Sequence, residues 1–99
     1  MSDTRMALME AIARRRLISA TYNGETILLA PHMLYERHGD LYVSALNLSK
    51  NWRSEDERRL GQFKLAGLSA PAVQEDAFEP LPSYEPVAPR EGDAIILAL

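Results

Sequence analysis

The sequence predicts a mainly β fold: a small barrel or rolled sheet of about five strands, preceded by one N-terminal α-helix and followed by an extended C-terminal tail. Apolar residues repeat at helical spacing up to position 16 and at alternate positions after it. Tight-turn sequences then recur at short intervals. No segment between the strands suits the crossover helix of a parallel βαβ fold. The length of 99 residues is enough for one domain with one core.

The helix is predicted over residues 3–16. Ser2 and Asp3 each carry a short side-chain oxygen that can accept a free N–H of the first turn. Three apolar residues fall on one helical face: Leu8, Met9 and Ile12. The arginine run at 14–16 closes the segment, where positive charge complements the negative end of the helix dipole.

The strands follow a change of period at residue 17. Residues 17–22 alternate between apolar and polar, and Asn23-Gly24 follows, a pair that tolerates the positive φ of a two-residue type I′ hairpin. Pro31 is predicted to end the second strand, and Pro71 to place the last strand at a sheet edge or bulge, because proline lacks the ladder donor. The other elements predicted within the barrel, residues 17–78, are strands at 25–30, 32–37, 41–46, 62–65 and 68–74, a turn at 38–40 and a charged, solvated loop at 47–60.

Residues 79–99 are predicted to form a tail outside the domain of residues 1–78. Four prolines between positions 79 and 90 indicate an extended linker, and residues 94–99 are all apolar. The net charge of −3 is uneven, with a mildly basic domain and an acidic tail that is able to cover the same basic surface. We expect the apolar end to pair across a homodimer, and packing on its own domain is the alternative.

The composition argues against several classes of function. The sequence has no cysteine, which rules out a disulfide framework, a thiolate metal site and a cysteine nucleophile. His32 and His38 have no third ligand at a suitable spacing, no Gly-rich phosphate loop is present, and no serine lies in a strand-to-helix elbow. We therefore predict that the protein is not an enzyme and holds no metal or cofactor. Because no apolar span or signal sequence is present, a cytoplasmic location is expected.

Four stretches of the sequence resemble a WYL domain, the ligand-sensing module of many bacterial transcription regulators. They are the helix end and first strand at 11–22, the proline-led strand and turn at 31–39, the strand Leu41-Tyr42-Val43-Ser44-Ala45 at the place of the Trp-Tyr-Leu signature, and the basic strand Gln62-Phe63-Lys64-Leu65 with Leu68, closed by Phe78. The resemblance implies a small Sm-like β-barrel. It also implies a role in recognising a ligand, often nucleic acid or a nucleotide.

The residues predicted to line the ligand site are Tyr22, Arg37, Tyr42 and Lys64. The tyrosines would hydrogen-bond to a phosphate or stack on a base, and the two cations would neutralise negative charge. The predicted function is a non-catalytic sensory or regulatory domain that binds an anionic ligand or nucleic acid, in bacterial transcriptional or defence regulation. Trp52, in the charged loop, is expected to fold back onto the barrel.

The sequence leaves alternatives open at this site. Tyr42 is also compatible with a half-buried ring that binds nothing, and Arg37 and Lys64 with solvated charges at strand ends. Relative to the WYL signature, Leu41 and Val43 replace the tryptophan and the leucine, and Gly67 replaces an arginine. These differences favour a protein-interaction or homo-oligomerisation module that has lost its ligand. A basic concavity around Tyr42 would support ligand binding, whereas an apolar or tail-covered surface there would support assembly.

Overall fold

The computed structural model describes residues 3–99, so Ser2, one of the two predicted capping residues, lies outside the described part of the chain. The helix is α1 (Thr4–Arg14), and the strands are β1 (Arg16–Tyr22), β2 (Glu25–Arg37), β3 (Asp40–Asn47), β4 (Gly61–Lys64), β5 (Leu68–Ala77) and β6 (Ala94–Ala98). Short 3₁₀ turns occupy Glu55–Glu57 and Leu65–Gly67. Within residues 3–99, no helix has the length and apolar character needed to cross a membrane.

The strands form one antiparallel sheet in the order β4-β3-β2-β1-β5, with β6 added to β2. The 3₁₀ turn Leu65–Gly67 links β4 to β5 along the chain, yet these two strands lie at opposite ends of that order. No ladder joins them within residues 3–99, so the sheet is open. The mainly β prediction is confirmed, whereas closure into a barrel is not confirmed by strand pairing.

The helix starts at the predicted cap and ends earlier than predicted. Asp3 Oδ1 accepts the backbone N–H groups of Arg5 at 3.0 Å and Met6 at 3.4 Å. Arg15 has a left-handed φ of 53°, which terminates the helix after Arg14. Arg16 already belongs to β1. The prediction that all three arginines lie at the helix end is therefore wrong, and only Arg14 is placed in the last turn.

Two tight hairpins set the register of the sheet. Asn23 and Gly24 have φ values of 51° and 79°, and His38 and Gly39 have 52° and 82°. Two successive positive φ values are the requirement of a type I′ turn, whose twist matches that of the flanking strands. Both hairpins occupy the predicted positions.

The prediction that Pro31 ends a strand is wrong. β2 is one strand of 13 residues that runs through Pro31, and its register with β3 shifts between Pro31 and Met33. The missing proline donor therefore falls at an irregularity, where the ladder is already interrupted. On its other side, β2 pairs with β1 over residues 25–29 and with β6 over residues 33–36.

The main core lies between α1 and the inner face of the sheet. Leu8, Ala11 and Ile12 of the helix are buried against strand residues such as Ile18 and Leu29. Burying side chains of this size stabilises the fold by about 1.5–3 kcal/mol each. The helix therefore holds the sheet from one side only, and the other side is available to the loops and the tail.

A smaller apolar cluster forms around Leu17, Ala30 and Leu46. Trp52 packs against this cluster and donates its indole N–H to the carbonyl oxygen of Asn47 at 2.9 Å. The prediction that this ring folds back is confirmed.

The edge position predicted for the last barrel strand is confirmed. β5 contains Pro71 and pairs with β1 alone within the described residues. Its register is irregular, and Ala70 has a positive φ of 48°.

The C-terminal segment completes the sheet. Residues 78–93 have no helix or strand, and β6 then pairs with β2 of the same chain. Leu97 and Leu99 pack against the main core, whereas Ile95 and Ile96 remain exposed. The intramolecular alternative thus describes the single chain, and the homodimer stays a prediction.

Candidate anion-binding face

The predicted site residues can be located through the register of β2, β3 and β4. Leu34 and Val43 pair with each other and are buried in the main core, with Phe63 beside them. Because side chains alternate along a strand, their neighbours point to the opposite side. This opposite side, called the outer face below, carries Met33, Tyr35, Arg37, Tyr42, Ser44, Gln62 and Lys64.

A stack of aromatic rings and a cation forms the centre of the outer face. The rings of Tyr35 and Tyr42 are nearly parallel, at 14°, with centroids 5.6 Å apart. The guanidinium carbon of Arg37 lies 5.3 Å from the first centroid and 5.2 Å from the second. Contact of a guanidinium with aromatic faces is favourable and restricts its orientation. Arg37 is therefore held in place by the two tyrosines.

The cation of this stack already binds an anion of the same chain. Arg37 donates from Nε and Nη2 to the two carboxylate oxygens of Asp93, each at 2.8 Å. The Asp93 side chain is 2% exposed, and it also accepts the backbone N–H of Arg90. The hydrogen bonds from Arg37 lower the pKa of Asp93, and those to Asp93 raise the pKa of Arg37. This is the bidentate geometry with which arginine recognises carboxylate and phosphate groups.

The second predicted cation is only weakly engaged. Lys64 pairs in register with Tyr42, and its Nζ lies 3.4 Å from a carboxylate oxygen of Asp40. Both side chains are 50% exposed, so water and salt screen this ion pair. Lys64 can therefore exchange Asp40 for another anion at little cost.

Tyr22 does not belong to the same surface as the other predicted site residues. Its ring packs edge-on against Phe63, with centroids 5.4 Å apart, and lies against the main core. The structure thus brings together Arg37, Tyr42 and Lys64 on the outer face and places Tyr22 on the inner one.

Next to the stack, the outer face borders a cavity of about 350 Å³. We call it the arginine cavity, because it is lined by Arg58 and Arg59 together with Met33, Ser44, Leu60, Gln62 and part of the linker from Ser83 to Pro89. Gln62 connects it to the stack, since its Oε1 accepts the hydroxyl protons of Tyr35 at 2.5 Å and Ser44 at 2.8 Å. Burial raises the pKa of Tyr35, which keeps this phenol protonated as a donor.

The linker wall of this cavity is fixed by a buried histidine. His32 Nε2 accepts the backbone N–H of Leu81 at 3.1 Å, and Nδ1 donates to the carbonyl oxygen of Ala30 at 2.8 Å. The backbone oxygen of His32 also accepts the Tyr84 hydroxyl at 3.2 Å and the N–H of Leu99 at 3.0 Å. Burial lowers the pKa of His32 and keeps the ring neutral. The linker is therefore anchored to the domain.

The sequence reasoning missed several of these side chains. Tyr35 could have been found, because Tyr35 and Arg37 alternate along one strand toward the same face as Tyr42. Asp93 gave no local signal, since its partner lies 56 residues away. The prediction of a solvated loop at 47–60 does not fit Arg58, which is half-buried and lines the arginine cavity.

The fold defines the class first: a mainly β domain with one N-terminal helix and an open six-stranded antiparallel sheet. Among solved structures, it is similar to part of Proteasome accessory factor B/C (PafBC) of Arthrobacter aurescens, with a TM-score of 0.67 and 18% sequence identity. The match covers 84% of this chain and 13% of the PafBC chain. This likeness shows a shared fold. No family model matches the chain, and no curated protein matches it in sequence.

Proposed function

We propose that this protein is a non-catalytic sensory or regulatory domain that binds an anionic ligand or nucleic acid on its outer face. One observation carries the proposal: Arg37, oriented by two stacked tyrosines, grips a carboxylate with both of its donor positions. A phosphate or carboxylate of a ligand offers the same pair of oxygens. Lys64, beside Tyr42, adds a weakly committed positive charge.

The similarity to PafBC supports a regulatory role. PafBC, a WYL-domain-containing regulator, has a part with a similar fold, and a role in bacterial transcriptional or defence regulation belongs to the proposal. The proposal keeps Arg37, Tyr42 and Lys64 as ligand-binding residues and leaves Tyr22 as a residue of the core.

Asp93 gives the proposal a regulatory mechanism. It occupies Arg37 and directly precedes β6, which begins at Ala94. A ligand that binds the Arg37 guanidinium must displace the Asp93 carboxylate, and the C-terminal strand then loses one of the contacts that hold it to the domain. Ligand binding and the docking of the tail are thereby coupled, because both draw on the same guanidinium group.

Charge reversal on the outer face tests the proposal. The probe is a fluorescently labelled single-stranded oligonucleotide, titrated at two salt concentrations alongside a mononucleotide. We expect Lys64→Glu to weaken binding at least about tenfold, or about 1.4 kcal/mol. The matched control is Lys50→Glu, because Lys50 lies over the Trp52 ring in the loop and takes no part in the stack of Tyr35, Tyr42 and Arg37.

Two further results complete this test. Asp93→Asn is expected to strengthen binding, because it removes the charge that competes for Arg37. Binding should also weaken as salt rises if phosphate groups are contacted. Equal effects of the two lysine reversals, or affinity that does not respond to salt, would contradict a defined anion site.

A second function, a protein-interaction or homo-oligomerisation module, is favoured by the exposed side of β6. Within residues 3–99 this strand pairs with β2 alone, and Ile95 and Ile96 are 41% and 42% exposed. An unpaired strand edge with exposed apolar residues is a surface on which another strand can add. Light scattering separates the two functions: a dimer that Ile96→Glu dissociates supports assembly, and a monomer at all concentrations contradicts it.

A further inference from the structure

We infer that the arginine cavity is a second anion-binding site, suited to a small organic phosphate with an apolar or aromatic body. This site is distinct from the one proposed on the outer face, because its cations are Arg58 and Arg59 and not Arg37 or Lys64. Its volume of about 350 Å³ is within the range of small-molecule pockets.

The arginine cavity contains an unpaired guanidinium donor. Arg58 Nε is buried and has no hydrogen-bond partner among the described residues. Neither Arg58 nor Arg59 takes part in an ion pair within the part of the chain that the structure describes. A buried donor without an acceptor is costly, and for a charged group the cost is larger. An oxygen of a bound anion would supply the missing acceptor.

The donors around the cavity suit a phosphate group. Gln62 Oε1 already accepts from Tyr35 and Ser44, so the Nε2 amide group is the part of Gln62 that can still bind a ligand. Two guanidinium groups and an amide donor match a phosphate monoester, which carries close to two negative charges at neutral pH. Glu85, also on the wall, balances part of this charge and disfavours a purely electrostatic site for any anion.

The rest of the cavity lining is largely apolar. Met33, Leu60 and Val87 face the cavity together with the Tyr84 residue, and Val87 is 60% exposed to solvent. The Tyr84 hydroxyl is held by the backbone oxygen of His32, so this wall is fixed before any ligand arrives. A pocket that combines a cationic end with a preformed apolar wall favours a ligand with a charged head and an apolar body.

The test uses the full chain and phenyl phosphate as the probe, measured by isothermal titration calorimetry at low salt. We expect saturable binding of phenyl phosphate, and weaker binding of inorganic phosphate and of benzoate. Arg58→Gln is expected to weaken phenyl phosphate about tenfold or more, the loss typical of a charge-assisted hydrogen bond. Arg53→Gln is the matched control, because Arg53 belongs to the same loop, is exposed and does not line the arginine cavity.

Two more variants keep the test decisive. Val87→Asp places a negative charge on an exposed wall position, where folding is not at risk, and should weaken phenyl phosphate as Arg58→Gln does. The outer-face function is measured separately, by the oligonucleotide titration of Lys64→Glu, so its failure and the failure of this site are distinguishable. The inference is overturned by an absence of binding, by equal effects of the Arg58 and Arg53 variants, or by inorganic phosphate that binds as tightly as phenyl phosphate.

Discussion

Replacing His32 by phenylalanine keeps an aromatic ring against Phe78 and Tyr84 but removes both ring nitrogens. The variant deprives the Leu81 N–H and the Ala30 carbonyl of these partners, which lie at 3.1 Å and 2.8 Å in the native protein. A buried backbone group left unpaired costs about 1–3 kcal/mol. With two such groups, we expect His32→Phe to lower the free energy of unfolding by about 2–4 kcal/mol.

The lowered pKa of His32 also makes the stability of the folded protein depend on pH. In the unfolded chain, His32 takes up a proton near its ordinary pKa of 6.5, whereas burial lowers its pKa in the folded protein. Below this pH the unfolded state binds a proton that the folded state does not, so stability falls as the pH decreases toward the folded pKa. Above pH 6.5, His32 is neutral in both the folded and the unfolded state, and its contribution to the free energy of unfolding is fully present. The slope cannot exceed about 1.4 kcal/mol per pH unit for one histidine.

Urea unfolding followed by the fluorescence of Trp52, the single tryptophan, measures both effects. We compare the wild-type protein with His32→Phe and with His38→Asn at about pH 7.5 and pH 5.5. His38→Asn is the matched control, because it removes the other histidine from an exposed turn position with a φ of 52°, which asparagine tolerates. The wild type and the control should lose stability at the lower pH, and His32→Phe should not. A destabilisation below about 0.5 kcal/mol, or an unchanged pH slope in His32→Phe, would refute the reasoning.

Three other predictions concern the tail, the turns and the core. Truncation after Gly92 removes β6, and we expect it to lower the melting temperature and to convert the dimer into a monomer in light scattering. If neither the melting temperature nor the mass changes, the tail has no structural role. Gly24→Ala places a side chain at a φ of 79°, which should cost about 1–2 kcal/mol in urea unfolding, and a neutral result would show that the hairpin can change its turn type. Leu29→Ala, in the core, should lower the free energy of unfolding by about 2–5 kcal/mol. Ile96→Ala, at 42% exposure, should change it by no more than about 1 kcal/mol. Equal losses of stability in the two variants would contradict the observed burial.

The parts of the fold that sequence predicts are those with a local cause. Asn23-Gly24 and His38-Gly39 fix hairpins through the φ values of two adjacent residues, and Asp3 caps the helix through atoms two and three residues away. The prediction that Pro31 ends a strand is wrong because a proline is tolerated where the ladder is irregular. That irregularity arises from the pairing of β2 with β3, which the local sequence does not indicate.

The site was predictable only where strand alternation was regular. Ile18, Ala20 and Tyr22 share one side of β1, so their apolar alternation already assigns Tyr22 to the core and argues against a place in the ligand site. The hairpin at His38-Gly39 places Arg37 and Tyr42 on one face, because Arg37 pairs with Asp40 and Tyr42 pairs with Tyr35. The Asp93 contact and the position of Arg58 depend on long-range packing of the tail and loop, for which the sequence holds no periodic signal.

We expect the two halves of β2 to gain their partners β1 and β6 at different stages of folding. The first half meets β1 through a two-residue hairpin, an event that takes microseconds in small proteins. The second half must wait for β6, and the Arg37–Asp93 contact beside it spans 56 residues, so its formation carries a larger loop-closure entropy. Until then the edge at residues 33–36 is open to a strand from any molecule. Refolding at high concentration is therefore the condition under which two chains exchange their C-terminal strands, and dilution favours the chain that closes on itself.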